Sequence, residues 1–282
     1  MKKVLSIFFC CIILKVIFLA PVYSSPDPDK GWILVWTDEF DNSLIDKNIW
    51  SQEEGYGPNS DGWGVGGLQR YTSDKRNSYV ENGVLMIQAI YSGGAYDDRN
   101  YTSARLTTKD RYAFQYGKIA ARIKAPYGQG IWPALWMLGV NRDKVGWPQC
   151  GEIDIMEMFG GGKGKDDTAL GTLHFYDKKL KDHVFFGGKK QLEGQKLADD
   201  FHIYEIEWDE SQIIWRLDGV EYHRESIDAK KHPERKAFHN KFYMILNLDV
   251  GASFQKVGYP DAATIFPQTM EVDWVRVYKK QQ

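Results

Sequence analysis

Short runs of alternating apolar and polar residues follow one another along most of the chain, and clusters of turn residues separate them. Residues 118–124 alternate in this way, and residues 202–208, 213–217 and 220–223 continue the pattern after short polar breaks. An alternation with a period of two is typical of β-strands that bury one face. Asn82-Gly83 separates two such runs and predicts a hairpin, because both central positions of this turn require positive φ.

Helical periodicity is confined to two short segments, residues 44–50 and residues 228–237, and the second contains Pro233. The sequence has no internal repeat, no low-complexity tract and no linker long enough to divide it. These features predict an all-β fold in which two antiparallel sheets stack as a sandwich. If one sheet curves, its concave face provides a cleft for an extended ligand.

One predicted strand, within residues 151–159, carries three carboxylates in an otherwise apolar run. Because alternate residues of a strand share a face, Glu152 and Asp154 point to one side and Glu157 to the other. A β-bulge at Ile155-Met156 would insert one extra residue and return Glu157 to the side of the other two carboxylates. Bulges are common beside active sites, so we predict one here.

Three carboxylates on one face admit three interpretations. Two carboxyl groups about 5 to 5.5 Å apart suit a retaining glycoside hydrolase, in which one attacks the anomeric carbon and the other protonates the leaving oxygen. An aspartate between them would help to keep one partner protonated and the other ionised through charge coupling. A solvated strand face and a Ca²⁺ or Mg²⁺ site are the alternatives that spacing leaves open.

The N-terminus has the pattern of a secretory signal peptide, which we assign to residues 1–25. Lys2 and Lys3 precede an apolar run, and a polar, proline-rich segment follows it. Lys15 interrupts the run and makes it a poor membrane span. We expect residues 26–282 to form a single domain that is exported to the periplasm, the cell surface or the medium.

Charge and cysteine content restrict the partners and the covalent links of this domain. The formal net charge is −2, and loss of residues 1–25 would make it more negative because they include lysines but no acidic residue. No basic stripe is present, so we predict neither nucleic acid nor an anionic membrane as partner. Cys150 is the only cysteine beyond residue 25, which excludes an intrachain disulfide in the exported domain. We expect a monomer.

Aromatic residues make up 14% of the chain, enough to supply both a core and a ligand-binding surface. A flat ring packs against the C–H face of a sugar, while an indole N–H or a phenol O–H offers a polar contact. Tryptophans beside glycine or proline are expected at a groove wall, and those on regular strand alternation in the core. The first group is Trp63, Trp132 and Trp147, and the second is Trp208, Trp215 and Trp274.

Several motifs together resemble glycoside hydrolase family 16, particularly its laminarinase-like branch, over nearly all of residues 26–282. They are the Glu-x-Asp-x-x-Glu strand, Trp36–Phe40, Thr102–Arg105, Tyr116–Lys118, Gly130–Trp136, Gly146–Pro148, Leu173-His174 and Val272–Tyr278. The resemblance implies a β-jelly-roll sandwich with a concave substrate cleft. It also implies a catalytic domain that cleaves β-linked polysaccharides or glycoprotein glycans internally, with retention of configuration.

The resemblance further implies roles for individual residues. Glu152 would be the nucleophile, Glu157 the general acid/base, and Asp154 the residue that tunes them. The candidate substrate contacts are Trp63, Arg105, Trp132, Trp136, Trp147, His174 and Asp249. No catalytic cofactor is implied, but a structural Ca²⁺ is common in the family, near the positions of Glu39, Gly83 and Asp273.

The chain departs from the glucanase pattern at two places. Residues 65–67 are Val-Gly-Gly where laminarinase-like members carry polar residues, and Asp249 stands where they have a small apolar residue. Loss of hydrogen bonds to an equatorial hydroxyl relaxes discrimination, and extra room would suit the axial C4 hydroxyl of galactose. We therefore favour an endo-β-galactosidase acting on poly-N-acetyllactosamine, O-glycan or keratan-type chains. An endo-β-1,3(4)-glucanase (laminarinase) is the alternative, and a non-catalytic glycan-binding sandwich is the alternative from another class.

Overall fold

The computed structural model describes residues 31–95, 99–254 and 256–281. Strands dominate these residues and form two sheets, which confirms the prediction of an all-β sandwich. The predicted signal peptide, residues 1–25, lies outside the described residues and stays a prediction. Within the described ranges, no helix is long and apolar enough to cross a membrane.

The described part of the chain contains 17 strands and little helix. The strands are β1 (Trp32–Asp38), β2 (Ser51–Glu53), β3 (Gln69–Tyr71), β4 (Ser78–Glu81), β5 (Val84–Tyr91), β6 (Tyr101–Ser103), β7 (Arg105–Thr107), β8 (Gly117–Lys124), β9 (Ile131–Gly139), β10 (Glu152–Glu157), β11 (Thr168–Asp177), β12 (Asp182–Gln191), β13 (His202–Trp208), β14 (Gln212–Leu217), β15 (Val220–Ser226), β16 (Phe242–Val250) and β17 (Gln268–Lys280). The helical segments are a π-helical turn (Gly62–Gly66), α1 (Arg142–Val145) and a 3₁₀-helix (Pro233–His239).

The strands divide into a larger and a smaller sheet. The larger sheet has ten strands in the order β15-β14-β13-β8-β17-β5-β6-β3, with β1 paired to β17 and β4 to β5. The smaller sheet has seven strands in the order β12-β11-β10-β9-β16-β7-β2. The acidic strand β10 therefore lies inside the smaller sheet, where β9 and β11 pair with its two edges.

The hydrophobic core lies between the two sheets. Ile119, Ile206 and Val275 of the larger sheet belong to one buried cluster with Leu135 and Leu246 of the smaller sheet. Each is fully buried, and burial of such a side chain contributes about 1.5–3 kcal/mol. The core holds the smaller sheet from one side and leaves its other face for the cleft.

The structure contains the predicted hairpin and, in a shifted position, one of the two predicted helices. Asn82-Gly83 connects β4 to β5 with φ angles of 53° and 77°, which confirms the hairpin. The helix expected over residues 228–237 is displaced to Pro233–His239, because proline suits the first turn of a helix but not its interior. Residues 44–50, the other expected helix, form turns.

The tryptophans assigned to the core divide into two that are buried and one that is not. Trp208 and Trp215 are 1% and 0% exposed, as predicted. Trp274 is half-buried, because the pairing of β17 with β8 shifts register between Val272 and Trp274 and turns the indole away from the core. Its ring instead lies 4.2 Å from the guanidinium carbon of Arg276. The core prediction is wrong for this residue.

The three residues expected near a structural Ca²⁺ lie on the larger sheet, directly after β1, in the β4–β5 turn and on β17. Both carboxylate oxygens of Glu39 accept hydrogen bonds of 2.7 Å from Arg276. Asp273 binds Arg122 through Oδ2, at 2.7 Å, and this leaves Oδ1 as a ligand. Carboxylate and backbone carbonyl oxygens are the ligands that Ca²⁺ prefers.

The structural Ca²⁺ stays a prediction, and chelation tests it. EDTA should lower the melting temperature and added Ca²⁺ should restore it, because a bound ion stabilises the fold by about 2.7 kcal/mol at 100 times its dissociation constant. The measurement is thermal unfolding with EDTA, with excess Ca²⁺ and with excess Mg²⁺. A melting temperature that is the same in all three would contradict the site.

Candidate active site

Strand β10 carries the predicted bulge. Its pairing with β11 is regular from Glu152 to Asp154 and resumes only at Glu157, which lies opposite Leu170. Its pairing with β9 also shifts after Asp154. One extra residue is therefore accommodated on β10 relative to both neighbours, as the prediction required.

The bulge decides which side chains of β10 face the core. Two consecutive side chains, Ile155 and Met156, point into the core and are 1% and 0% exposed. Glu157 thereby returns to the cleft side with the other two carboxylates. The backbone carbonyl of Asp154 accepts a hydrogen bond of 2.7 Å from the indole Nε1 of Trp215, on the opposite sheet. The larger sheet thus supports the backbone at the start of the bulge.

The three carboxylates lie in the floor of a cleft of about 300 Å³ over the smaller sheet. Strands β9, β16 and β7, the loop before β3, helix α1 and the segment between α1 and β10 form the rest of its lining. Six of the seven predicted substrate contacts are brought together here: Trp63, Arg105, Trp132, Trp136, Trp147 and Asp249. His174 is the seventh and does not belong to the lining. Flat rings interspersed with polar groups are the surface that a sugar chain requires.

Each catalytic candidate glutamate accepts a hydrogen bond from a tryptophan. The indole Nε1 of Trp147 donates to Oε2 of Glu152 at 3.0 Å, and that of Trp132 donates to Oε1 of Glu157 at 2.9 Å. In both segments a proline directly follows the tryptophan. The two donors hold the carboxyl groups in fixed orientations and stabilise their ionised forms.

Burial makes ionisation of these carboxyl groups costly. Burial and, second to it, the neighbouring Asp154 charge raise the pKa of Glu152 to about 8 and that of Glu157 to about 8. Burial also raises the pKa of Asp154 itself. Proximity of His174 and the indole donors acts in the opposite direction on both glutamates. The site therefore favours a state in which the group shares protons, as acid/base chemistry near neutral pH requires.

His174 lies beside the carboxylates rather than in the open cleft. Its Nε2 is 3.1 Å from Oδ2 of Asp154 and 3.8 Å from Oε1 of Glu152. Its Nδ1 lies 2.8 Å from Nε2 of His183, and the two imidazole rings stack. Sequence reasoning missed His183; the signal was the β11–β12 hairpin, which places residues 174 and 183 on adjacent strands.

Neighbouring side chains hold Arg105 in place, so its guanidinium group is not free to move with a substrate. It forms an ion pair with Glu53 at 2.5 Å, and its guanidinium carbon lies 4.6 Å from the ring centre of Trp63 and 4.8 Å from that of Trp136. Arginine between two aromatic faces gains cation–π energy from both. Its position therefore fixes the two rings relative to each other. Sequence reasoning missed Glu53, which lies on the short strand β2.

The glycines after Trp63 do not open the space that the sequence pattern predicted. A Cβ atom at Gly66 would lie 3.0 Å from Oγ of Ser253, and one at Gly67 would lie 2.8 Å from Nε2 of Gln69. Gly66 also has a φ of 72°, which favours glycine. Neighbouring side chains fill the volume at both positions, so the expectation of extra room for an axial hydroxyl is not met there.

Glu152, Asp154 and His174 bring one ligand atom each within 4.8 Å of one another, a spacing that could also hold a metal ion. The indole N–H groups of Trp147 and Trp132 point hydrogen atoms at the neighbouring carboxylate oxygens. Indole donors to both glutamates match a carboxyl pair used for acid/base chemistry. The three carboxylates are therefore candidates for proton and nucleophile chemistry.

Comparison with known proteins decides the family. Residues 69–275 match the model of glycosyl hydrolases family 16. The chain belongs to glycosyl hydrolase family 16. The motifs that carry the resemblance in the sequence, including the acidic strand, fall largely within the matched region of family 16.

Relatives and solved structures within family 16 place the chain near laminarinases. Glucan endo-1,3-β-glucosidase A1 of Niallia circulans is 38% identical over 266 residues, 89% of this chain but only 38% of the relative. The β-glucanase of Rhodothermus marinus is 37% identical over 283 residues, 95% of this chain and 93% of the relative. The laminarinase catalytic domain of Thermotoga maritima has a TM-score of 0.78 and 44% identity, covering 89% of this chain and all of that one.

A less similar relative is named for another glycan. The keratan-sulfate endo-1,4-β-galactosidase of Sphingobacterium multivorum is 27% identical over 252 residues, 87% of this chain and 55% of the relative. The chain thus spans well under half of the Niallia circulans protein and about half of the Sphingobacterium multivorum protein. Similarity is greater to the glucanases than to this galactosidase.

The hydrogen bond from Trp215 to the bulge generates a testable prediction. Trp215→Phe should cost about 1–3 kcal/mol in unfolding free energy, because it leaves the buried Asp154 carbonyl without its donor. It should also lower kcat by about tenfold, since a shift of the carboxylates that raises the barrier by about 1.4 kcal/mol has that effect. The measurements are urea denaturation and glycan hydrolysis.

Trp208→Phe is the matched control. Trp208 is equally buried, but its indole Nε1 has no hydrogen-bond partner among the described residues. Its replacement should affect stability through packing alone and leave kcat near the wild-type value. Equal losses of kcat in the two variants would show that the Trp215 hydrogen bond does not position the carboxylates.

Proposed function

We propose that this chain is a retaining endo-β-1,3-glucanase of the laminarinase type. The observation that carries the proposal is the placement of Glu152, Asp154 and Glu157 on one face of β10, in the floor of a cleft lined by tryptophans. A buried carboxyl pair beside aromatic sugar platforms supports glycoside hydrolysis by double displacement. The predicted signal peptide is consistent with a polysaccharide substrate outside the cell.

In the first step Glu152 attacks the anomeric carbon. Its ionised form is favoured by the Trp147 indole donor and by His174, 3.8 Å away. Glu157 transfers its proton to the glycosidic oxygen as that bond breaks, and the aglycone leaves as an alcohol. Because Oε1 of Glu157 accepts the Trp132 N–H, we assign the transferred proton to Oε2. The product of the step is a glycosyl ester of Glu152.

In the second step Glu157, now ionised, takes a proton from water as the water oxygen attacks the anomeric carbon. The ester bond to Glu152 breaks, and the configuration of the substrate is restored by the two inversions. Asp154 lies between the two glutamates, and its charge raises the pKa of both. In this mechanism the Asp154 charge helps Glu157 to keep the proton that it has taken from water, so Glu157 is ready to act as the acid in the next cycle. Oδ2 of Asp154 lies 3.1 Å from Nε2 of His174.

The choice of a β-1,3-glucan rests on two observations. The relatives that cover most of this chain at 37% to 44% identity are named glucanases or laminarinases. In addition, Ser253 and Gln69 fill the space at the two glycines that was expected to admit an axial hydroxyl. Both favour the glucanase alternative over the endo-β-galactosidase preferred from the sequence.

Cleavage of β-galactosides is the second candidate function. It is favoured by the relative named keratan-sulfate endo-1,4-β-galactosidase. At 27% identity this relative is less similar to the chain than the glucanases are. The galactosidase preference therefore has the weaker support of the two.

Product analysis tests both the mechanism and the substrate. The chain without residues 1–25 should release laminari-oligosaccharides from laminarin and little from desulfated keratan or poly-N-acetyllactosamine. Glu152→Gln should lower this activity by several orders of magnitude and preserve binding, because the nucleophile is lost and the cleft is not. Glu81→Gln, an exposed change in the β4–β5 hairpin, is the control. Full activity of Glu152→Gln would overturn the mechanism. Release of galactose-terminated products from keratan, with no products from laminarin, would overturn the assignment of a β-1,3-glucan as substrate.

The raised pKa of Glu152 predicts a stability difference that depends on pH. A carboxyl whose pKa rises from 4.5 to about 8 on folding binds its proton more tightly in the folded state, so the wild type loses stability as pH rises between these values. The amide of the Glu152→Gln variant cannot ionise and escapes this cost. The melting temperature of Glu152→Gln should exceed that of the wild type increasingly from about pH 5 to about pH 8. A constant difference across this range would contradict the assigned shift.

A further inference from the structure

Asp249 is a buried carboxylate in the cleft that the mechanism above does not use. It lies on β16 opposite Trp132 of β9, is 7% exposed and belongs to the cleft lining. Burial raises the pKa of Asp249 to about 6, so the residue is ionised at neutral pH. A buried charge is costly unless it is hydrogen-bonded or serves a ligand, so its partners decide its role.

The hydrogen bonds around Asp249 have a defined direction. The backbone N–H of Val250 donates to Oε1 of Gln69 at 2.8 Å, which fixes the amide so that Nε2 donates to Oδ1 of Asp249 at 2.5 Å. The hydroxyl of Tyr71 donates to the same Oδ1. That hydroxyl accepts from Nδ2 of Asn247 at 3.1 Å. Every proton in this network is directed towards Asp249, which can only accept.

The network occupies one oxygen of the carboxylate. Both side-chain hydrogen bonds to Asp249 end on Oδ1. Asn247, whose Oδ1 accepts from Nε1 of Trp136 at 2.6 Å, joins this network to the aromatic wall of the cleft. Oδ2 accepts neither of these two hydrogen bonds, so it is the oxygen that can accept one from a group inside the cleft. A carboxylate oxygen binds a hydroxyl proton strongly and repels an anion.

Gly67 is the residue that makes this arrangement sterically feasible. A Cβ atom at this position would lie 2.8 Å from Nε2 and 2.9 Å from Oε1 of Gln69. A larger residue at position 67 would displace the amide that holds Asp249. The glycine in the loop and the aspartate on β16 are thus parts of one structural unit, although they are far apart in the sequence.

We propose that Asp249 is a specificity-determining residue that accepts a hydrogen bond from a free hydroxyl of the sugar bound over β16. The ligand is an unsubstituted neutral glycan, and the site discriminates against chains that carry sulfate, carboxylate or O-methyl groups at that hydroxyl. This inference rests on the proposed function for the identity of the substrate backbone, but not for the chemistry that Asp249 recognises.

Asp249→Asn tests the proposal, because it reverses the polarity of the contact. Gln69 and Tyr71 both donate, so they would bind Oδ1 of the asparagine and turn its NH₂ group towards the cleft. We measure the affinity of Glu152→Gln for laminarin and for O-sulfated laminarin of matched length by calorimetry. Adding Asp249→Asn should weaken the binding of laminarin. The ratio of the affinity for laminarin to the affinity for O-sulfated laminarin should fall by about 10- to 100-fold, which corresponds to the loss of a hydrogen bond to a charged group.

Asp167→Asn is the matched control. Asp167 is also a buried carboxylate that accepts from a glutamine amide, Gln191 Nε2 at 2.9 Å, but it is not part of the cleft lining. This change should leave the affinity ratio unaltered. A second measurement needs no change at Asp249: O-methylated laminarin, which lacks the donor but is neutral, should bind Glu152→Gln more weakly than laminarin.

The outcomes separate this proposal from the proposed function. If the chain hydrolyses laminarin but Asp249→Asn leaves the affinity ratio unchanged, or if O-methylation has no effect, the role of Asp249 is overturned and the glucanase assignment stands. If laminarin is bound but not cleaved and the ratio falls as predicted, the glucanase assignment fails and the role of Asp249 stands. Absence of laminarin binding would overturn the glucanase assignment, and the same comparison with keratan and desulfated keratan would then decide the role of Asp249: an unchanged ratio on Asp249→Asn would overturn it.

Discussion

The site depends on placing three carboxyl groups on one face of a strand that lies inside a sheet. Regular alternation cannot do this for Glu152 and Glu157, which are separated by an odd number of positions. The bulge resolves the conflict by directing Ile155 and Met156 together into the core, so hydrophobic burial itself holds the catalytic register. Hydrophobic packing between the sheets and the chemistry in the cleft are therefore coupled through a single strand.

The buried carboxyl groups oppose folding, and the surrounding structure compensates for them. Their desolvation is offset by indole donors from Trp147 and Trp132 and by the proximity of His174. Each donor comes from a different strand or loop, so the charged groups are stabilised only when the smaller sheet is complete. Active sites commonly carry such local destabilisation, which the rest of the fold supports.

Most of the candidate substrate contacts lie on the strands beyond β10. The tryptophans of β9, the arginine of β7 and the polar residues of β16 lie on neighbouring strands, so a sugar chain that crosses the strands meets them in turn. The rings supply apolar surface, and Asp249 supplies a directed acceptor at the end of a network that begins at Trp136. Local changes in this lining can therefore alter the glycan that family 16 members select without a change in the fold.

The sequence by itself determined the fold class and the acidic strand with its bulge, because period-two alternation, turn residues and an odd spacing of carboxylates are local properties. It could not anticipate the register shift at Trp274, which depends on the pairing of β17 with β8.

Only the tertiary structure decided how distant residues combine. Ser253 and Gln69 fill the loop at residues 66 and 67 and reverse the expectation drawn from its glycines, because free volume depends on residues far away in the chain. The bonds that support the bulge and hold Asp249 join residues separated by 61 and 180 positions, and no local sequence pattern specifies such pairs.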